Sequence, residues 1–149
     1  MINNQKKIQP AEILLVDDNS GDRRLTIEAF KEGNVAVNLS AVRDGEEAIA
    51  FLRRQGKYAN ALRPDLILLD LNLPKKDGRE VLAEVKQDSQ FKSIPIIVLT
   101  TSQAEQDILK SYQLHANCYI TKPMDLDQFI TVVKSIETFW LTTVQLPPK

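Results

Sequence analysis

The chain has 149 residues, the size of a single domain of about 100–150 residues that buries its own core without staples. A hydrophobic content of 43% with 26% charged residues excludes the disordered, collagenous and membrane classes. Nineteen Lys and Arg against twenty Asp and Glu leave a net charge of −1, without the broad positive field of a nucleic-acid binder, so no direct nucleic-acid partner is expected.

Residues 1–10 read as an N-terminal tail without a signal-peptide core. Ile13-Leu14-Leu15-Val16 is the first of three short runs that are apolar throughout; Leu66-Ile67-Leu68-Leu69 and Ile96-Ile97-Val98-Leu99 are the others. They are too short for helices and do not alternate, which marks strands covered on both faces, as in a parallel sheet. Weaker strands are expected over 35–42 and 118–121. A first helix starts near Ser20, with Leu25, Ala29 and Phe30 on one face. Later helices open at Asp44…Glu47, Asp77…Glu80, Ser102…Glu105 and Asp125…Gln128, each an acid or hydroxyl followed three residues on by Glu or Gln, the pattern that satisfies orphan amides at a helix start. Residues 55–63 read as a polar loop, and residues 142–149, ending Leu-Pro-Pro-Lys, as a tail.

Strand and helix therefore alternate five times. Each parallel pair needs a long crossover, so the expected fold is α/β, an open parallel five-stranded sheet with helices on both faces. One cysteine, Cys118, allows neither an internal disulfide nor a multi-cysteine zinc site. No apolar run approaches the roughly 18 residues of a membrane helix. A cytoplasmic protein with no membrane partner is the expectation.

Ligands of open α/β sheets bind beyond the carboxyl ends of the strands. There the first strand ends in Asp17-Asp18, the third in Asp70, the fourth in Thr100-Thr101 and the fifth in Lys122. Taken singly each has a plain explanation: a helix cap, a loop turn, a strand hydroxyl, a solvated charge. Taken together, three carboxylates at one edge repel one another unless a cation offsets them. Oxygen donors without His or Cys suit a hard ion that keeps water and phosphate as ligands, which selects Mg²⁺. Beside it a carboxylate can attack a phosphoryl group whose oxygens Lys122 and Thr100 neutralise. The loop that follows Asp70, Leu71 to Gly78, exposes that carboxylate, so Asp70 is chosen as the nucleophile.

The set Leu15-Val16-Asp17-Asp18, Asp70-Leu71-Asn72-Leu73-Pro74 with Asp77-Gly78, Leu99-Thr100-Thr101 and Tyr119-Ile120-Thr121-Lys122-Pro123 resembles a two-component response-regulator receiver domain. The resemblance covers residues 11–138 and leaves 139–149 as a C-terminal extension. It implies a flavodoxin-like, doubly wound (βα)5 fold with strand order 2-1-3-4-5. It further implies that a histidine kinase phosphorylates Asp70 and that Asp18, Asp70 and the Asn72 backbone carbonyl bind Mg²⁺, with Asp17 acting through water. Lys122 pairs with the phosphate, Thr100 moves to meet it, and Tyr119 follows as the switch aromatic. The Lys122-Pro123 bond is expected cis. The protein would be no enzyme toward other molecules; it would catalyse only its own phosphoryl transfer and autodephosphorylation.

More narrowly, the stretch from Asp70 to Lys86, Leu114-His115-Ala116-Asn117-Cys118-Tyr119 and Phe139-Trp140-Leu141 are similar to regulators paired with cyanobacterial phytochromes. This implies a light-regulated kinase as phosphodonor and a homodimer through helix four, strand five, helix five and the extension. The last helix points the same way: Leu126, Phe129, Ile130 and Val133 fill one face, while Val132, Ile136, Phe139 and Trp140 carry apolar surface beyond it. The alternative is that the extension folds back on its own domain.

Three other activities are excluded. A hydrolase of the aspartate-nucleophile type wants a second acid two residues after Asp70, where Asn72 stands, and Asp17-Asp18 would repel a flavin phosphate. Neither nucleotide-binding glycine motif occurs. A receiver-fold binding module that works without phosphorylation remains the competing reading. His115, the only histidine, is assigned no role.

Overall fold

The computed structural model describes residues 9–149; the expected N-terminal tail lies, through residue 8, outside the described residues. In chain order the elements are β1 (Ala11–Val16), α1 (Ser20–Lys31), β2 (Val37–Val42), α2 (Gly45–Leu52), β3 (Leu66–Leu69), α3 (Gly78–Gln87), β4 (Ile96–Thr100), α4 (Glu105–Gln113), β5 (Cys118–Thr121) and α5 (Leu126–Thr138). All neighbouring strands pair parallel in the order β2-β1-β3-β4-β5. This is the expected doubly wound, flavodoxin-like sheet. β2 begins at Val37, two residues later than expected, where its ladder with β1 starts at Ala11.

Alternation along the central strands divides the core in two. Leu14, Val16, Ile67, Leu69, Ile96 and Val98 face α2 and α3, where Ile49, Val81, Leu82 and Val85 meet them. Ile13, Leu15, Leu66, Leu68 and Ile97 face α1 and α5, against Ala29, Phe30, Phe129, Val133 and Ile136. Burial on both faces is why the central runs show no polar alternation.

Four of the five helix starts have side-chain caps. Asn19, Asp44, Asp77 and Asp125 each accept a backbone N–H of the first turn, and Asp77 with Glu80 forms a complete capping box. α4 departs from expectation. Its N-cap is Ala104, which has no side-chain bond, while the Ser102 hydroxyl donates to the Asp107 carboxylate instead. Only Ser111 of α4 is buried. The expected polar loop over 55–63 contains one turn of 3₁₀ helix, Gly56–Tyr58.

Two further expectations are corrected. The Lys122-Pro123 bond is trans, since no cis peptide occurs among the described residues; trans is the intrinsically favoured isomer even before proline. The buried stripe of α5 is Phe129, Val133 and Ile136, not Leu126 to Val133. Leu126 is exposed, and Ile136, 2% exposed, belongs to the domain's own core and is unavailable to a second chain. The i, i+4, i+7 spacing puts these three on the side facing the sheet.

α5 runs on into a π-helical turn, Phe139–Thr143. Half-buried Val132, Trp140 and Leu141 pack against the α1/α5 core, and Phe139 stays exposed with its ring edge-to-face on Trp140. The chain end folds back toward the start of the sheet, where the Lys149 ammonium lies 3.5 Å from Asp65.

Candidate functional site

The sheet ladder itself delivers the polar residues. Asp17 and Asp70 come directly after the last residues of β1 and β3, and their backbone N–H groups extend the ladder to Val42 and Val16. The Lys122 N–H likewise donates to the Thr100 carbonyl, one step past β5. Four chain segments thereby place their side chains in one crevice at the carboxyl edge.

The Asp70 carboxylate, in a residue only 7% exposed, is held at both oxygens. Oδ1 accepts the Thr100 hydroxyl at 2.9 Å and the Asn72 N–H at 3.0 Å, and Oδ2 accepts the Lys122 ammonium at 2.9 Å. Asp17 is buried too; its Oδ1 accepts from the Asn19 N–H and its Oδ2 from Lys122 at 2.7 Å. Asp18 is exposed. Asp17, Asp18 and Asp70 nevertheless each bring a carboxylate oxygen within 4.8 Å of the others.

Electrostatics follow from this crowding. Burial pushes the Asp17 carboxyl above the usual range, and its hydrogen bond and ion pair with Lys122 pull the other way. Burial by itself would lower Lys122, yet bonds and charges from Asp17, Asp22 and Asp70 hold its ammonium well above the ordinary lysine range. Lys122 is therefore a fixed cation. Four acids against Lys122 and the Arg23 guanidinium at the Asp17 carbonyl leave the crevice anionic, and the oxygen-only donor set of Asp17, Asp18 and Asp70 fits a hard divalent metal.

The loop after Asp70 is held by close backbone packing. Gly78 opens α3 directly against β3's end: a Cβ there would collide with the Asp70 carbonyl oxygen and the Leu71 Cα. Gly45 does the same for α2, whose start abuts the Lys76 backbone. Lys75 takes a positive φ of 64° and reaches toward the buried cap Asp44 at 3.6 Å. These approaches fix where the Asp70 carboxylate points.

Thr100 is fully buried and already bonded to Asp70. Tyr119 is half-buried against the α2/α3 core, and its hydroxyl donates to the Ser102 carbonyl at 3.0 Å. Ser102 in turn bonds Asp107, which Arg79 grips from α3 at 2.6 Å. The Ser102 hydroxyl and then the Arg79 guanidinium hold the Asp107 carboxyl below the usual range. The loop between β4 and α4 is thus tied to both Tyr119 and α3.

The expected residues Asp17, Asp18, Asp70, Thr100 and Lys122 come together, with Asn72 donating its N–H to Asp70, while Tyr119 stands on β5 with its hydroxyl on the Ser102 carbonyl. Val132, Ile136, Phe139 and Trp140 lie on α5 and the extension, apart from this crevice. Sequence reasoning missed Asp22, whose carboxylate meets Lys122 at 2.9 Å, and Arg23, whose guanidinium donates to the Asp17 carbonyl. An acid and a base in the first turns of a helix carry no signal of their own.

Comparisons with known proteins agree with this geometry. The family model described as the response regulator receiver domain matches residues 13–134. Response regulator Rcp1 of Synechocystis sp. is 55% identical over 138 residues, covering 93% of this chain and 94% of its own length. The crystal structure of its Mn²⁺-bound form superposes with a TM-score of 0.90, covering 93% of this chain and all of that one. The phosphorylated cyanobacterial phytochrome response regulator RcpA is 58% identical with a TM-score of 0.91, over 94% of this chain and all of that structure. With the acid pair, Asp70, the hydroxyl and the lysine each at the end of their strand, this chain belongs to the response regulator receiver domain family.

Proposed function

We propose that Asp70 accepts a phosphoryl group from the phosphohistidine of a histidine kinase, a phytochrome-type light sensor, and that the aspartyl phosphate switches the protein's interaction surface. One observation carries the reading: both oxygens of a nearly buried carboxylate are engaged by Lys122 and Thr100, the two groups that can neutralise an arriving phosphoryl group. The carboxylate oxygen attacks phosphorus, the phosphorus–nitrogen bond breaks, and the electron pair returns to the imidazole. Asp18, Asp70 and the Asn72 carbonyl, with Asp17 acting through water, would hold Mg²⁺, which would supply further positive charge there. The likeness to RcpA and Rcp1 supports the phytochrome partnership and the divalent ion.

The new charge and acceptor oxygens draw on Thr100 and Lys122, and Thr100, the last residue of β4, stands two residues before Ser102, where Tyr119 is fastened. α4, β5 and α5 form the responding surface, with Leu109, Tyr112, Leu126 and Phe139 exposed on it. That surface, with residues 139–149 as an extension of a receiver spanning 11–138, forms a homodimer. Sedimentation tests it: a dimer is expected, weakened by Phe139→Ala, and a monomer at high concentration removes the proposal. Asp17 and Asp18 also orient water, so the phosphate is lost by autodephosphorylation.

Incubation with a small phosphodonor and Mg²⁺, followed by intact mass, should give one added phosphoryl group. It should vanish with chelator and in Asp70→Asn, and decay within hours. Labelling that survives Asp70→Asn, or an adduct stable for days, overturns the assignment. Partner binding that is unchanged by phosphorylation would instead make the domain a constitutive binding module.

A further inference from the structure

The Lys122 ammonium has three N–H bonds and spends them on three carboxylates: Asp17 at 2.7 Å, Asp22 at 2.9 Å and Asp70 at 2.9 Å. Two of these acids have other work. Asp17 also accepts the Asn19 N–H and stands with Asp18 and Asp70 in the metal-binding set, and Asp70 is the acceptor. Asp22 differs. Its backbone N–H bonds the Asn19 side chain and its carbonyl the Thr26 hydroxyl, while its carboxylate, among the described residues, bonds Lys122, 100 positions away.

We infer that Asp22 is a positioning residue that competes with the phosphoryl group for Lys122, and so limits how tightly the phosphorylated state is held. The inference rests on Asp70 being the phosphoacceptor. A phosphoryl group on Asp70 brings dianionic oxygens, which outrank a carboxylate as acceptors for an ammonium. Esterification of Asp70 frees the N–H that its carboxylate held, so one ammonium bond passes to the phosphoryl group at once; a second can form only if Lys122 releases Asp17 or Asp22. The Asp17 side chain is 3% exposed and cannot turn to water when released; that of Asp22 is 28% exposed, and water takes over its solvation. Asp22 is therefore the partner that exchanges. A first-turn acid complements the helix dipole wherever it occurs, but the dipole does not require the bond to Lys122.

Beryllofluoride, which occupies the phosphoryl position, tests this by calorimetric titration of the full chain at saturating Mg²⁺. Asp22→Asn and Asp22→Ser should each bind it about three- to fivefold more tightly, the weight of a partly exposed ion pair. Asp22→Glu, which restores the competing charge, should return to within about twofold of the wild type. In a Lys122→Gln background, Asp22→Asn should have no effect. Unchanged or weaker binding by the neutral variants overturns the inference, as does equal tightening in the Lys122→Gln background, which would reduce Asp22 to general repulsion of anions. Beryllofluoride binding that is absent in the wild type, or undiminished in Asp70→Asn, removes the phosphoacceptor reading and this inference together; normal wild-type binding with an indifferent Asp22 removes this inference alone.

Discussion

Two lysines are drawn inward at opposite ends of the sheet, and their surroundings treat the same ammonium group in opposite ways. Lys122, at the carboxyl end, meets three carboxylates and is held above the ordinary lysine range. Lys86, in the last turn of α3 at the amino end, donates to the carbonyls of Lys92 and Ile94 and to the Asn117 side chain, at 2.8–3.1 Å. Burial pulls Lys86 down to about 8. Neutral carbonyl dipoles satisfy donors but cancel no charge; carboxylates do both. The amino end therefore has a tether between α3 and the segments entering β4 and β5, whereas the carboxyl end has an anionic crevice organised around a permanent cation.

The largest effect should come from cutting the charged side of this contrast. Lys122→Met strands buried carboxylates, and in metal-free buffer at pH 7 it should cost about 3 kcal/mol in urea denaturation, partly recovered with excess Mg²⁺. A loss below about 1 kcal/mol would mean that the carboxylates are well hydrated and the contrast is weaker than drawn. Next comes Asn117→Ala. The Asn117 side chain also accepts the Ile96 N–H, so its removal orphans a donor at the start of β4 and should cost about 1–2 kcal/mol.

Lys86→Met should be the mildest at neutral pH, below about 1 kcal/mol, because the lost hydrogen bonds are offset by relief of a buried charge. It sharpens the contrast through pH. The folded-state value of about 8 lies under the ordinary 10.5, so between these limits the unfolded chain holds more protons and stability rises with pH. Lys122, raised instead, contributes stability that is complete below 10.5 and is lost only at higher pH. Denaturation from pH 7 to 10.5 should show the rise in the wild type and a flatter curve in Lys86→Met; an identical slope would sink the assignment.

Much of this molecule can be read before folding because the central strands are enclosed on both sides. Continuous apolar runs at 13–16, 66–69 and 96–99 have few other uses, and the polar residues that end them mark the crevice. What escaped depends on contacts between distant segments. Ser102 resembles a helix cap by spacing, yet its hydroxyl goes to Asp107, which Arg79 of α3 holds in place. Asp22 looks like an ordinary first-turn acid until β5 brings Lys122 beside it. Ile136 looks available for a partner because periodicity alone does not say how wide an arc of α5 the sheet will cover. Trp140 packs on that same core only because the π turn carries the extension back toward it.

The contact at Gly78 has a corollary for the proposed acceptor. Since α3 begins against the very backbone that bears Asp70, the aim of that carboxylate depends on a missing methyl group. An alanine there leaves every charge in the crevice unaltered and still spoils its alignment, a defect visible as lost phosphoryl uptake in a protein whose titrating groups are all intact.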